Sequence, residues 1–517
     1  MNAPALAGAL ALALGALQTP AFVHGAAWPL PLATTAALVW LLARTRGAVR
    51  AASLGWAYGT GWLAAGVWWL YVSMHRYGHI AAPLAALAVL VLAAFLALYL
   101  AAACAAFARW RSGHWGRDAR LFAALWLLAE LARGVLFTGF PWLAAGYSQV
   151  DAPLAALAPW VGVYGIGAVM AWWAAALAGL VVSRGRAWHS AATGALAVAA
   201  LAVLGPGEHS RAAGALPVTL VQTDVPQDEK FASARMAATL AALARELLAV
   251  QRGLVIVPET AVPLLPGQLE DFAPGYWRAL RSHFDVAGRA ALVGVPLGDF
   301  ERGYTNSVLG LEAGAAEYRY DKHHLVPFGE FIPRGFRWFT ELMHIPLGDF
   351  ARGVPDAASF AFDAQRIAPT ICYEDLFGEE IARRFADASR APTVIANLSN
   401  IAWFGDTAAV PQHLAISRLR ALEFQRPVVR ATNTGATAII DHRGRVQGEL
   451  APFTRARLEG VVQGRDGLTP YAAWVSRVGL WPLAAVAALA AAWAALRAPC
   501  RAVAGRPRRG RREAAAR

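Results

Sequence analysis

The sequence predicts two joined architectures, an α-helical membrane domain of eight transmembrane helices and an α/β layered domain. Three observations carry this. Only 16% of the 517 residues are charged, against about 25% in an ordinary soluble domain. The deficit is uneven: residues 1–205 and 474–496 are built largely from Ala, Leu, Val, Gly and Trp, whereas 206–469 have the mixed composition of a soluble domain. Within 206–469, short runs rich in Val, Ile and Thr alternate with helical stretches, as in an α/β fold.

A spanning helix needs roughly 20 mostly apolar residues. Candidates lie near 3–21, 26–43, 53–73, 80–107, 120–137, 155–183, 189–205 and 474–496. The first could be read as a signal peptide, but it lacks a basic flank and further apolar runs follow at once. Loop charge orients the helices. Arg44, Arg46 and Arg50, then Arg109, Arg111, Arg117 and Arg120, then Arg184 and Arg186 fall in alternate loops. The intervening loops are poor in Lys and Arg, so the Arg-rich ones are expected in the cytoplasm. The expected division is a seven-helix membrane domain over 1–205 and an extracytoplasmic domain over 206–469. An eighth helix in 470–496 then returns a basic tail, 497–517, to the cytoplasm, where both termini lie. The formal charge of +13 sits largely in these loops and the tail. Topology and anionic lipid account for it, and no nucleic-acid partner is expected.

Two membrane features stand out. Glu130 and Arg133 lie three residues apart on one face of the fifth span. Ionisable groups at that depth pair and face a protein interior. They either lock helix packing or handle substrate. The segments WWLYVSMHRYG (Trp68 to Gly78) and FTGFPW (Phe137 to Trp142) put aromatics at the outer ends of spans. They form an interfacial belt or a lipid-facing rim below the outer domain.

In 206–469 the expected strands are 218–223, 254–258, 291–296, 307–311, 367–372, 393–399 and 428–434. Helical spacing marks 232–251, 275–287, 377–389 and 408–425. The three cysteines, Cys104, Cys372 and Cys500, match neither a zinc site nor a disulfide framework. Cys372 is expected to be a free thiol.

Three segments at strand ends carry chemistry: LVIVPET with Glu259, YDKHHLVPFGEF with Lys322 and Glu330, and IAPTICYEDLFGEE with Cys372. Catalytic groups in α/β sheets gather beyond the carboxyl ends of strands. A Cys at a strand-to-helix turn is expected to be exposed, with a helix N-terminus favouring its thiolate. A carboxylate of raised pKa can take the thiol proton and return it to a leaving group. A lysine ammonium can stabilise the developing oxyanion. His323 and His324 are adjacent, which suits neither a helical zinc pair nor a serine triad. His413 reads as packing, and Asn433 as positioning strand ends.

VPET, DKHHLVPFGEF and CYED resemble the three catalytic motifs of the nitrilase, or carbon–nitrogen hydrolase, superfamily. The whole chain, with RGVLFTGFPW and NLSNIAWFGDT as further hallmarks, resembles the apolipoprotein N-acyltransferase family. That resemblance implies an αββα sandwich facing the periplasm of a bacterial inner membrane, and a ping-pong reaction. Cys372 would take an acyl chain from a phospholipid, typically phosphatidylethanolamine, and pass it to the amine of a diacylglyceryl-cysteine apolipoprotein. Glu259 would be the general base and Lys322 the oxyanion stabiliser. Glu330, Tyr373 and Glu374 match supporting residues. Trp403 and Phe404 match a loop bordering the lipid entrance. Phe231 stands where relatives carry Trp, in an arm near the membrane. Loop 400–405 and the arm 226–235 are expected to form a lid. No metal or diffusible cofactor is implied, and a monomer is expected. Two other readings share parts of this pattern: a membrane-tethered amidase with a small soluble substrate, and a transporter or lipid-binding module with a degenerate nitrilase domain. An intact Glu259, Lys322 and Cys372 argues against degeneration.

Overall fold

The computed structural model describes residues 3–230, 232–333 and 350–498. Phe231 and Cys500 lie outside the described residues. Among the described residues, seven helices of 15 residues or more fill the first 205 positions: α1 (Ala3–Leu17), α2 (Pro29–Arg44), α3 (Ala48–Gly66), α4 (Ala82–Trp110), α5 (Trp115–Val135), α6 (Ala158–Val182) and α7 (Trp188–Leu204).

Among the described residues, five stretches are long and apolar enough to cross a membrane: Pro4–Phe22, Gly25–Arg44, Ala82–Trp110, Trp115–Thr138 and Pro153–Val182. Pro470–Val478 and Trp481–Leu496, bent by 86°, make a sixth if taken as one span. Of the expected eight, the last meets that standard only as this bent pair, and two others fall short of it. Helix α7 has only 17 residues. Helix α3 is diluted by glycine: Gly55 meets Cys104 and Gly59 meets Ala97 on α4, and Gly61 abuts the Leu12 backbone on α1. Small residues let helices approach closely in lipid, and the cost is a lower hydropathy.

Glu130 and Arg133 are buried and bonded to backbone. Glu130 accepts the Ala145 N–H at 2.7 Å, and Arg133 donates to the carbonyls of Phe140 (2.8 Å) and Trp142 (2.7 Å). The pair stitches the irregular segment 136–149 to α5, satisfying backbone groups that lipid cannot.

Among the described residues the α/β domain forms two six-stranded sheets. The first runs β12 (Ala456–Asp466), β1 (Arg211–Gln222), β2 (Gly253–Ile256), β3 (Arg289–Asp299), β4 (Gly303–Glu312), β5 (Tyr318–Asp321). The second runs β11 (Val446–Glu449), β10 (Ala438–Ile440), β9 (Val428–Thr432), β8 (Val394–Ser399), β7 (Gln365–Ile371), β6 (Phe360–Phe362). Side chains alternate across each strand. Leu254 and Ile256 enter the core between the sheets, where they meet Ile371, Ala396 and Val429. Val255 and Val257 turn the other way, under Leu243 and Leu247 of helix α8 (Ser233–Leu248). On the far side, Ala421 and Phe424 of helix α9 (Ala409–Phe424) cover Ile395 and Val428. The layers are thus helix, sheet, sheet, helix.

All seven expected strands are present. The five that were not expected lie at or next to sheet edges. β6 and β10 are three residues each, and β11 has no buried residue.

Candidate active site

β2, β5, β7 and β8 end, and β4 begins, at one rim, and the sequence-predicted residues meet there. β2 stops at Ile256, and three residues later Glu259 turns inward, 8% exposed. Lys322 follows β5 and is 1% exposed. Its Nζ donates to Glu330 Oε1 at 2.9 Å and to Glu259 Oε1 at 3.3 Å. Asn306 on β4 bridges the same two carboxylates, its Nδ2 lying 2.7 Å from each. The second oxygen of Glu259 accepts the Asn400 N–H at 2.9 Å, and that of Glu330 accepts the Val326 N–H at 2.8 Å. Every carboxylate oxygen has a donor, as buried charge requires.

Cys372 is the first residue after β7. Its φ is +52°, a left-handed conformation that costs a non-glycine residue energy and aims the side chain out of the strand. Glu374 braces this elbow. Its Oε2 accepts the Ile371 N–H (2.7 Å) and the Tyr320 hydroxyl (2.7 Å). Its Oε1 accepts the N–H groups of His323 (2.7 Å) and His324 (3.2 Å). One carboxylate therefore ties the turn at Cys372 to the loop that carries Lys322. Tyr373 points the other way and donates its hydroxyl to the Gly139 carbonyl at 3.1 Å, docking the elbow on the membrane domain.

Charge at the site differs from the simple expectation. Burial pushes the Cys372 thiol up to about 12; the Glu259 charge adds to this, and the Lys322 ammonium opposes it. The turn after Cys372 is 3₁₀ rather than α, with the helix Gly378–Ala382 starting six residues on, so helix-end stabilisation of the thiolate is absent. Burial also pushes Glu259 up, but Lys322, Asn306 and Lys230 outweigh it and hold the carboxyl below its usual range. The expected raised carboxylate is not found at Glu259. Burial works against the Lys322 ammonium, yet Glu259 and Glu330 keep it firmly protonated. The resting site is a thiol beside a carboxylate and an ammonium.

Several participants escaped sequence reasoning. Asn306 and Asn400 give no local signal; they matter because strands far apart in sequence end side by side. Lys230 donates to the Glu259 carbonyl at 3.1 Å. Burial brings it down to about 8 against the pull of Glu259 and Cys372. A Lys in a polar arm reads as solvated until the arm is seen to fold inward. Asn433 does position strand ends: its Oδ1 accepts from Thr223 Oγ1 (2.7 Å) and the Val225 N–H (2.9 Å), and its Nδ2 donates to Asn400 (3.0 Å). His413, read as packing, is fully buried beneath Cys372.

The expected lid residues lie against the membrane domain. Trp403 meets Tyr77 edge-on at 5.5 Å, and Phe404 packs on Trp69 at 4.3 Å between ring centroids. In the arm, Gln227 accepts from Asn400 Nδ2 at 2.8 Å, and Asp228 lies 3.6 Å from Arg76. The aromatic segment 68–78 and loop 400–405 thus form one border. Among the described residues no group of His, Cys, Asp and Glu is arranged to hold a metal.

Comparison with known proteins agrees with this geometry. Residues 14–176 match the family described as apolipoprotein N-acyltransferase N-terminal domain, and residues 218–463 match carbon-nitrogen hydrolase. The apolipoprotein N-acyltransferase of Verminephrobacter eiseniae is 53% identical over 88% of this chain and 89% of that protein. Those of Ralstonia nicotianae and Pseudomonas putida are 44% and 40% identical, over 90% and 94% of this chain and 89% and 96% of theirs. The chain is a multi-pass membrane acyltransferase built on a carbon–nitrogen hydrolase domain, and it belongs to the apolipoprotein N-acyltransferase family.

Proposed function

We infer that the protein moves a fatty acyl chain from a phospholipid, phosphatidylethanolamine above all, to the N-terminal amine of a diacylglyceryl-cysteine apolipoprotein, through a thioester on Cys372. The observation that carries this is the meeting of Cys372, a partly exposed residue, with Glu259 and Lys322 at a rim docked on the membrane domain.

In the first half-reaction Glu259 takes the Cys372 proton as the sulfur attacks the acyl ester carbonyl. Proton transfer is uphill in the resting site, so it is coupled to attack. The oxyanion forms beside the Lys322 ammonium, which Glu330 and Asn306 hold in place. Collapse expels the lysophospholipid oxygen, which takes the proton from Glu259. In the second half-reaction the acceptor amine attacks the thioester, gives a proton to Glu259 and releases the thiolate, which is reprotonated. The thioester keeps the acyl group activated and divides one transfer into two easier steps. Water has to be kept out, and this is the role we assign to Trp403, Phe404 and the arm 226–235.

The reading includes eight spans: seven helices over 1–205 and one in 470–496, with 497–517 a cytoplasmic tail. It puts the catalytic domain, 206–469, in the periplasm and both termini in the cytoplasm. Cysteines introduced at exposed Glu459 and exposed Arg186 report on this. A membrane-impermeant maleimide should label only the first in intact spheroplasts; labelling of the second alone would reverse the orientation. The activity is tested with purified protein in vesicles holding phosphatidylethanolamine and a diacylglyceryl lipopeptide. Wild type should produce the N-acylated peptide and Cys372→Ala none. Turnover by the alanine variant, or hydrolysis of soluble amides alone, would refute the reading.

A further inference from the structure

Cys372 holds a backbone conformation that it would leave if nothing opposed it. Its φ is +52°, and the isolated residue prefers the negative side. Something must hold the peptide plane that follows. The Cys372 carbonyl has two donors: Asn397 Nδ2 at 3.3 Å and His413 Nε2 at 3.2 Å.

The hydrogen bonds around His413 fix its tautomer. Arg430 Nη2 lies 3.1 Å from His413 Nδ1. A guanidinium nitrogen only donates, so Nδ1 offers its lone pair and the proton is on Nε2. That N–H points at both the Cys372 carbonyl and Asp375 Oδ1, the latter at 2.9 Å. Asp375 is held in turn by Ser417 and Arg430. Arg430 also bonds Ser417 and, at 3.1 Å, the His413 carbonyl. His413, Ser417 and Arg430 are fully buried and Asp375 is 1% exposed. With Nδ1 accepting from Arg430, Nε2 is a fixed donor.

The adjoining residue anchors the same helical turn to the membrane domain. Gln412 Oε1 accepts from Trp69 Nε1 (3.0 Å) and Trp142 Nε1 (2.8 Å), and its Nε2 donates to the Gly66 carbonyl (3.0 Å). The Trp142 ring also lies 5.5 Å from the His413 ring.

We propose that His413 is a positioning residue for the nucleophile: its Nε2–H holds the Cys372 carbonyl, and with it the left-handed elbow that keeps the thiol before Glu259 and Lys322. His413 touches no reacting atom. The inference rests on Cys372 being the acylated residue. Gln412 makes the elbow's support continuous with the aromatic border of the membrane domain.

The test uses full-length protein in phosphatidylethanolamine vesicles and two variants. His413→Gln keeps a neutral N–H donor near the position of Nε2; His413→Leu removes it. Three quantities are read: acyl-adduct formation on Cys372, the KM for phospholipid, and the rate of Cys372 alkylation by iodoacetamide across pH. The last needs no acyl chemistry, so it separates failure of this proposal from failure of the thioester reading. His413→Leu should slow acylation about tenfold or more through kcat, at nearly unchanged KM, as the strained elbow relaxes. It should also alter the pH dependence of alkylation. His413→Gln should restore both to within a few-fold of wild type. A role in packing alone would leave the alkylation profile unmoved in any variant that folds, and that result would overturn the proposal. If His413→Leu does not fold, His413→Gln decides alone. A near wild-type rate and alkylation profile support the proposal; a folded His413→Gln protein slowed about tenfold or more contradicts it.

Discussion

Lys322 donates to Glu259 at 3.3 Å from a site that is 1% exposed, and Glu330 takes the same ammonium at 2.9 Å. Two buried carboxylates therefore share one cation. The arrangement ties catalysis to stability, because whatever removes the cation leaves two negative charges facing each other out of water.

Lys322→Met should accordingly lose acyl transfer and also destabilise the domain, by about 3–5 kcal/mol, the cost of breaking a buried ion pair from one side. Thermal unfolding in detergent measures the second effect. A Met variant that melts with wild type would mean that Glu259 and Glu330 are not both ionised in the fold.

The Cys372 thiol, pushed up to about 12, should remain protonated across the neutral range. Its alkylation by iodoacetamide should then climb about tenfold per pH unit from pH 7 to 10 without levelling off. Peptide mass spectrometry at Cys372 follows it. A plateau near an ordinary thiol value, about 8.5, would show that Lys322 outweighs burial.

Glu259 behaves oppositely. Its carboxyl is held below its usual range, so the fold binds that proton more weakly than the unfolded chain does. The stability it contributes is complete above the unfolded value of about 4.3 and is lost as pH falls through the lower, folded value. Acid titration of melting temperature should therefore fall more steeply in wild type than in Glu259→Gln over that window. Parallel curves would contradict the depressed value.

Glu374→Ala should disconnect the elbow from the Lys322 loop. It strands the buried N–H groups of Ile371 and His324, each costing about 1–3 kcal/mol. Activity should fall with stability, while Glu374→Gln, which keeps an acceptor, should lose less of both. Equal loss in the two variants would assign Glu374 a role through its charge.

Much of this site was legible before the fold. Glu259, Lys322 and Cys372 each sit where an apolar strand run breaks into polar residues, and strand ends are readable from local pattern. Tyr373 and Glu374 could be named as neighbours of the nucleophile, but not that one docks on the membrane domain while the other braces the Lys322 loop. Asn306, Asn400 and Lys230 were not legible, because their importance comes only from strand order. The thiol's charge state was misjudged for a related reason: burial and a neighbouring carboxylate outweigh any helix end, and neither shows in sequence. In the membrane half, α3 was expected as a span; its close packing on α1 and α4, made possible by its glycines, was not foreseen.

The central claim is that Cys372 carries the acyl chain, and intact mass spectrometry tests it most directly. Purified protein incubated with phosphatidylethanolamine should gain the mass of one acyl group on Cys372. Neutral hydroxylamine or a diacylglyceryl lipopeptide should remove it, and Cys372→Ala should never acquire it. An adduct that persists in the alanine variant, or acyl transfer with no adduct on Cys372, would contradict the account.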